Sequence, residues 1–262
     1  MILDEIMAHQ RRHLARRRDS VSFRQLEAMA GGLPDPLDFV APLRRDGVAL
    51  IAEAKRASPS KGLLCPDYRP LHLARTYAAN GAAAISVVTE CHFFGGSMDD
   101  LAEIRHGLDV DIPLLRKDFI FEPYQVYGAR AFGADAVLLI AAVLGDGVLG
   151  ELLSLVRELG MAALVEVHDE EELERVLPLK PRVVGINNRD LRDFSVDLET
   201  FGRLRALVPD DVVAVAESGV RSAADVGRLA QMGADAVLVG EALVTAPDPG
   251  ARVRDLTAGG GA

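Results

Sequence analysis

Only four of the chain's 29 cationic side chains are lysine, and two of those four, Lys55 and Lys117, stand at the ends of apolar runs. The other two are Lys61 and Lys180, and the remaining 25 cations are arginine. Arginine does not give up its proton inside a protein, whereas a lysine in a pocket can. The retained lysines are therefore candidates for proton transfer. Carboxylates accompany them at similar positions: Glu53 two residues before Lys55, then Glu90, Asp118, Glu166, Glu217 and Glu241, with Asn187 and Arg189 at a further run end. A lysine near another cation, or partly desolvated, becomes a better acid. A glutamate walled by leucine and valine is either kept protonated or made a stronger base. Such a set is equipped for general acid–base chemistry without a metal, if the fold brings its members together.

The elements that must do so repeat from residue 48 onward. A short apolar run is followed by a polar loop and an amphipathic helix, often with Gly-Ala before the next run. The runs are Val48–Ala54, Ala83–Thr89, Pro113–Lys117, Ala136–Ile140, Ala162–Val167, Val183–Asn187, Val212–Glu217 and Ala236–Gly240. Near-continuous apolar strands separated by helices signal a parallel sheet covered on both faces. Eight such units predict an α/β fold of the (β/α)8 TIM-barrel class, with a doubly wound open sheet as the rival. An internal echo supports the repeat: Phe132-Gly133-Ala134-Asp135-Ala136-Val137-Leu138 returns as Met232-Gly233-Ala234-Asp235-Ala236-Val237-Leu238, one hundred positions later. Helices are expected at Leu71–Asn80, Met98–Gly107, Pro123–Phe132, Gly147–Leu159, Glu170–Leu177, Leu198–Leu207 and Ala223–Met232. Residues 1–45 read as an N-terminal extension of one or two helices, broken at Gly31-Gly32-Leu33-Pro34 and packed on a single barrel domain spanning 1–262.

In a barrel, functional groups lie where strands end and βα loops begin. Period-2 alternation then aligns Ile51 with Glu53 and Lys55, Leu115 with Lys117, Leu164 with Glu166, and Gly185 with Asn187 and Arg189. At the last two strand ends, Glu217-Ser218-Gly219-Val220 and Val239-Gly240-Glu241-Ala242 carry small residues. Their backbone N–H groups could approach a phosphate, helped by the N-terminus of a short following helix. The loop Arg56-Ala57-Ser58-Pro59-Ser60-Lys61-Gly62 reads as a flap, and Phe93-Phe94 as a wall for an aromatic ligand or a minor core contact.

The totals narrow the classes. The chain has 262 residues, 49% of them apolar and 26% charged, enough for a sizeable core. A net charge of −10 argues against general nucleic-acid binding. The basic stretch Arg11, Arg12, Arg16, Arg17 and Arg18 lies among acidic neighbours and reads as a solvated helix face. Cys65 and Cys91 suggest neither a disulfide framework nor a metal site, and the six histidines show no ligand motif with a third partner. No apolar run is long enough for a bilayer and the opening residues are amphipathic, so a soluble cytoplasmic protein is expected, acting as a monomer or weak homo-oligomer.

The motifs together resemble those of indole-3-glycerol phosphate synthases. The resemblance rests on Ile51-Ala52-Glu53-Ala54-Lys55-Arg56-Ala57-Ser58-Pro59-Ser60-Lys61-Gly62, Phe93-Phe94-Gly95-Gly96-Ser97, Leu115-Arg116-Lys117-Asp118-Phe119-Ile120, Val165-Glu166-Val167, Gly185-Ile186-Asn187-Asn188-Arg189-Asp190-Leu191 and Ala216-Glu217-Ser218-Gly219. These elements run in order through residues 48–245. The resemblance implies a (β/α)8 carbon–carbon lyase of tryptophan biosynthesis that uses no cofactor or metal. It would convert 1-(2-carboxyphenylamino)-1-deoxyribulose 5-phosphate to indole-3-glycerol phosphate, with release of CO2 and water. It further implies Lys117 as the general acid, Glu166 as manager of the dehydration proton, and Glu53 as an acid–base or electrostatic partner held by Lys55. Asn187 and Arg189 would orient the substrate, and Ser58 and Glu217 would join the binding set. Ser218, Gly219, Gly240 and Glu241 would hold the phosphate, and Phe94, Phe119, Leu138 and Leu191 would wall the ring. Two departures are Ala54, where a bulkier apolar residue is usual, and Glu241, where serine is frequent. Two readings compete: a phosphosugar barrel enzyme with a Schiff-base lysine, and a non-catalytic phospho-ligand-binding barrel. Because the chemistry requires an amine that releases a proton, Lys117→Ala and Lys117→Arg are both expected to abolish turnover with modest loss of substrate binding. An arginine variant with near-normal kcat in a steady-state assay would overturn it.

Overall fold

The structure, a computed structural model, describes residues 2–190 and 194–260. Eight parallel strands form a closed barrel: β1 (Ala49–Ala54), β2 (Ala84–Val88), β3 (Leu114–Lys117), β4 (Ala136–Ile140), β5 (Ala162–Val167), β6 (Val183–Asn187), β7 (Val213–Glu217) and β8 (Ala236–Val239). Closure is made by β8 on β1, in a register running from Ala49 opposite Ala236 to Ala52 opposite Val239. The open-sheet alternative is thereby excluded, and the strands fall within one residue of the sequence expectation. The connecting helices are α3 (Pro70–Ala79), α4 (Met98–Gly107), α5 (Pro123–Ala131), α6 (Asp146–Glu158), α7 (Glu170–Val176), α8 (Glu199–Arg205) and α9 (Ala223–Gln231).

Alternation along each strand divides the core in two. Leu50, Ala52, Ile85, Val87, Leu114, Val137 and their equivalents face outward and pack under the helices. Ile51, Leu115, Leu138, Leu164, Val215 and Leu238 face inward and fill the barrel, while Phe39, Val40 and Leu43 close its lower end. Both faces are buried, which is why these strands read as continuous apolar runs. Their last inward positions lie above the apolar filling, and there the chain places Glu53, Lys117, Glu166, Asn187 and Glu217.

The Gly-Ala-Asp echo has a physical basis. Gly133 and Gly233 turn with φ of 88° and 86°, and each carbonyl accepts a 2.8 Å hydrogen bond from the guanidinium of Arg105 or Arg205, again one hundred residues apart. The aspartate that follows staples neighbouring strands: Asp235 accepts the Ala214 N–H at 2.7 Å, and Asp135 accepts those of Leu114 at 2.7 Å and Leu37 at 2.8 Å, besides pairing with Arg105.

Two helices precede the barrel, α1 (Ile2–Ser20) and α2 (Phe23–Gly31), the second opened by a reciprocal Ser22–Gln25 capping box. Leu14, Leu26 and Ala30 pack against Tyr124 and Ala131 of α5. The arginines of α1 are not purely solvated. Arg11, Arg17 and Arg18 lie over the rings of Phe121, Phe132 and Tyr124 at 5.9, 5.2 and 5.3 Å, while Arg12 and Arg16 are exposed. After β8 come α10 (Glu241–Val244) and α11 (Pro249–Gly259). The sequence reading assigned no helix at α11. Here Asp248 is the N-cap, Pro249 takes the first helical turn, and a side chain at Gly250 would meet the Asn80 amide. Replacing Asp135 by alanine leaves the buried Leu114 N–H and the half-buried Leu37 N–H without their acceptor and removes the ion-pair partner of Arg105. The expected loss is about 2–4 kcal/mol in urea unfolding, with the far-ultraviolet spectrum retained; an unchanged midpoint would refute the staple.

Candidate active site

The inward alternation of β1, β3, β5, β6 and β7 delivers the ionisable groups to one mouth. Lys117 Nζ stands 3.4 Å from Glu217 Oε2 and 3.5 Å from Glu166 Oε2. Lys55 Nζ stands 2.8 Å from Glu53 Oε1. Asn187 Nδ2 donates to Glu166 Oε1 at 3.2 Å, and Asn187 Oδ1 accepts the Arg189 N–H at 3.0 Å. Glu53, Glu166 and Glu217 are all buried. Two glycines make room for this packing. A β-carbon at Gly185 would collide with the Glu217 carboxyl, and one at Gly240 with the carboxylate of Glu53 and the ammonium of Lys55.

Burial by itself would discharge every one of these groups. For Lys117 the desolvation is outweighed by Glu217, Glu166 and Glu53, so its affinity for the proton is raised and it is held as an ammonium. The resting site thus reverses the sequence expectation of a lysine made more acidic by its surroundings, because three glutamates crowd it, two of them held as carboxylates. Burial pushes Glu166 up, but Lys117, His168 and Asn187 together bring it well below the usual carboxylate range. Glu53 is lowered in the same way by Lys55 and Lys117 against its own burial. Glu217 goes the other way: burial and the charge of Glu166 push it up to about 8 despite Lys117. At neutral pH the cluster therefore holds an ammonium, two carboxylates and one carboxylic acid around a single point.

Above them opens a cavity of about 780 Å³, bordered by every expected site residue among those described; Leu191 lies outside the described residues. Phe94 and Phe119 stand at its wall with ring centroids 6.3 Å apart, and Leu138 lies at its floor. Phe93 instead packs edge-on against His9 and His92, so only one of the paired aromatics faces the cavity. Ser58 borders the cavity with a buried Oγ that has no hydrogen-bond partner among the described residues. The residue 56–62 segment begins a small antiparallel hairpin, Ala57–Ser58 on Gly62–Leu63. At the end of β7, Ser218 and Gly219 both turn left-handed, with φ of 64° and 87°. For serine this conformation is strained, and Asn188 holds it, donating to the carbonyls of Glu217 at 3.0 Å and Ser218 at 3.2 Å.

Two strand-end carboxylates do not join the cluster. Glu90 accepts the N–H groups of His92, Phe93 and Phe94, and Asp118 is taken up by Gln10, Thr89, Arg116 and the Phe119 N–H. They order the loops that carry the aromatic wall. The Glu241 side chain pairs with Lys61, which lowers its proton affinity against burial and partly cancels its charge beside the expected phosphate position. Sequence reasoning passed over Asn188, Lys61, His168 and the Ile2, Leu3 and Ile6 side chains of α1 that line the mouth. A signal for His168 existed, since it lies two residues beyond Glu166 in the same alternation.

Fold and site together define a (β/α)8-barrel protein with acid–base groups gathered at the C-terminal mouth of its strands. The family model for indole-3-glycerol phosphate synthase matches residues 3–256. The chain belongs to the indole-3-glycerol phosphate synthase family. An indole-3-glycerol phosphate synthase of Roseiflexus sp. (strain RS-1) is 51% identical over 267 residues, covering 99% of this chain and 98% of its own. One of Mycobacterium tuberculosis (strain ATCC 25177 / H37Ra) is 49% identical over 259 residues, covering 99% and 94%. Among solved structures, a 3-hexulose-6-phosphate synthase superposes with a TM-score of 0.64 at 17% identity, covering 81% of this chain and 99% of that one. A tryptophan synthase from M. tuberculosis gives 0.62 at 18%, covering 87% and 100%. At such identities the likeness is one of fold alone.

The Glu217 assignment has a measurable consequence. Its folded-state value of about 8 lies above the ordinary 4.5, so between these pH values the folded protein keeps a proton that the unfolded chain has released. This group's contribution to stability therefore falls as pH rises through that window. Glu217→Gln removes the effect, and its stability relative to the parent is expected to be greater at pH 9 than at pH 5 in urea unfolding. A difference independent of pH would contradict a protonated Glu217.

Proposed function

We propose that this protein closes the indole ring of indole-3-glycerol phosphate from 1-(2-carboxyphenylamino)-1-deoxyribulose 5-phosphate, with the cluster around Lys117 as the acid–base centre. The observation that carries the reading is the Lys117 ammonium standing 3.4 and 3.5 Å from Glu217 and Glu166 beneath a cavity walled by aromatic and aliphatic side chains. In the first step the ring carbon bearing the carboxylate attacks the ribulose C2 carbonyl. Lys117 protonates the developing alkoxide, which arginine could not do. Loss of CO2 returns the bonding pair to the ring and restores aromaticity. In the last step the hydroxyl leaves C2 as water with a proton from an acid of the site. Glu166, held ionised, accepts the proton released as the indole double bond forms.

The remaining roles follow the chemistry of the groups. Lys55, next to Glu53, faces the substrate carboxylate until it departs. Asn187 and Arg189 orient the sugar. The backbone of Ser218, Gly219 and Gly240, with the start of α10, receives the phosphate, and the Ser58 hydroxyl supplies a further polar contact. Phe94, Phe119, Leu138 and Leu191 wall the aromatic ring. An imine mechanism requires a neutral amine, and the pairing of Lys117 with two glutamates disfavours it. Borohydride reduction in the presence of substrate is accordingly expected to trap no adduct. The chain is read as one barrel unit with residues 1–45 as an accessory extension, acting in the cytoplasm as a monomer or weak homo-oligomer.

The protein contains no tryptophan, so the indole product would appear by fluorescence on a dark background. Turnover of the carboxyphenylamino substrate with this emission is the expected outcome. Glu166→Gln is expected to reduce kcat by about 10²-fold or more, with a smaller change in KM. Wild-type protein that leaves the substrate unchanged would sink the reading, and an unimpaired Glu166→Gln would remove that residue from its role.

A further inference from the structure

Behind Glu166, out of reach of the cavity, lies a group that none of the assigned roles uses. His168 follows β5 and is two residues beyond Glu166, so its side chain turns to the same side. Its Nε2 lies 3.2 Å from Glu166 Oε1, an ion-pair contact, and its Nδ1 lies 3.0 Å from Glu172 Oε2. The side chain is 12% exposed and does not border the cavity. Glu172 is itself fixed. It sits in the first turn of α7, its N–H donates to the N-cap Asp169 at 2.9 Å, and its Oε2 also accepts the His168 backbone N–H at 2.8 Å. That last bond would form with almost any residue at 168, and it needs no imidazole. The ring contacts are the part that only histidine supplies.

An imidazole with a carboxylate at each nitrogen can satisfy both only when both nitrogens carry hydrogen. Deprotonation would aim a lone pair at a negative oxygen. The charged groups facing the ring are Glu166 from its own strand and Glu172 from α7. Lys117, from β3 two strands away, meets the other oxygen of Glu166, and the adjoining β6 contributes the uncharged Asn187. Burial alone would discharge the ring, but the two carboxylates raise its proton affinity to about 10. The stabilisation from the pairing is thus fully present below the ordinary value of 6.5 and is lost as pH rises through about 10.

We infer that His168 is a positioning residue for the proposed reaction: an imidazolium braced by Glu172 that, with Asn187, ties down Oε1 of Glu166 and leaves Oε2 as the oxygen turned to Lys117 and the substrate. The braced cation does two things at once. It fixes the carboxylate's rotation, and it keeps Glu166 ionised at the pH where Lys117 must carry its proton. Neither effect requires His168 to touch the substrate. The inference rests on the reading of Glu166 as the proton acceptor in dehydration.

His168→Gln keeps a hydrogen-bonding side chain of similar reach but removes the charge. The expected result is a kcat lower by about tenfold with KM changed far less, short of the loss in Glu166→Gln. The acid limb of the kcat–pH profile should move upward by about one pH unit, as Glu166 becomes easier to protonate. Glu172→Gln, further from the chemistry, preserves an acceptor for the ring and removes only the brace's charge. It is expected to bring loss of activity at high pH closer to neutrality, as His168 gives up its proton more readily. A merely structural role would lower the melting temperature without moving either limb, and unmoved limbs in folded His168→Gln overturn the inference. Should that variant fail to fold, an unmoved alkaline limb in Glu172→Gln does the same. An inactive Glu166→Gln beside an unaltered His168→Gln rejects His168 alone, whereas an active Glu166→Gln rejects the reading on which it rests.

Discussion

A lysine ammonium set at the floor of a barrel mouth cannot persist without negative charge around it, because the interior does not solvate it. Lys117 has that charge from Glu166 on β5, 3.5 Å away, and from Glu53 on β1, with the protonated Glu217 of β7 beside it. The same burial that requires these partners also prevents all of them from ionising together. One carboxyl, Glu217, retains its proton while Glu166 and Glu53 are held as carboxylates by the cations nearest to them. The site thus contains at rest a cationic acid, a neutral acid and two bases, sorted by neighbours rather than by residue type.

That sorting depends on the scaffold in specific ways. Gly185 and Gly240 are the points at which backbone stands close enough for the carboxyls of Glu217 and Glu53 to fit, so even a methyl group there would displace the cluster. Asn188 restrains the left-handed Ser218-Gly219 turn beside Glu217, and Asp118 and Glu90 spend their charge on loop N–H groups so that Phe94 and Phe119 stand at the wall. Asp135 and Asp235, one hundred residues apart, tie neighbouring strands at the opposite end. The lower end of the barrel is held by staples of this kind and by apolar filling, which leaves the upper inward positions open to polar side chains.

Much of this was legible in the chain. The apolar runs and the Gly-Ala-Asp echo located the strands to within a residue, because strands buried on both faces must be apolar at every position. The strand-end rule then collected Glu53, Lys55, Lys117, Glu166, Asn187 and Glu217 without any coordinates. Less visible was which strand-end groups would meet. Glu90 and Asp118 share the pattern of Glu53 and Lys117 yet turn to their own loops. Phe93 and Phe94 are alike in sequence and face different neighbours. His168 was counted only among the histidines that form no ligand motif, although its spacing from Glu166 was the same as that of Lys55 from Glu53. The α11 helix was hidden by Pro and Gly at its start, which serve there as a first turn and a close approach.

The amino-acid sequence by itself determined the (β/α)8 architecture, the inward alternation and the set of side chains available at the mouth, because these follow from local periodicity. Only the tertiary structure decided the charge state of each group, the pairing of Lys117 with both Glu166 and Glu217, and the bracing of Glu166 by His168. Proton affinity in a buried cluster is set by burial and by charges a few ångströms away, and those neighbours come from strands far apart in the chain. They meet only because the barrel closes.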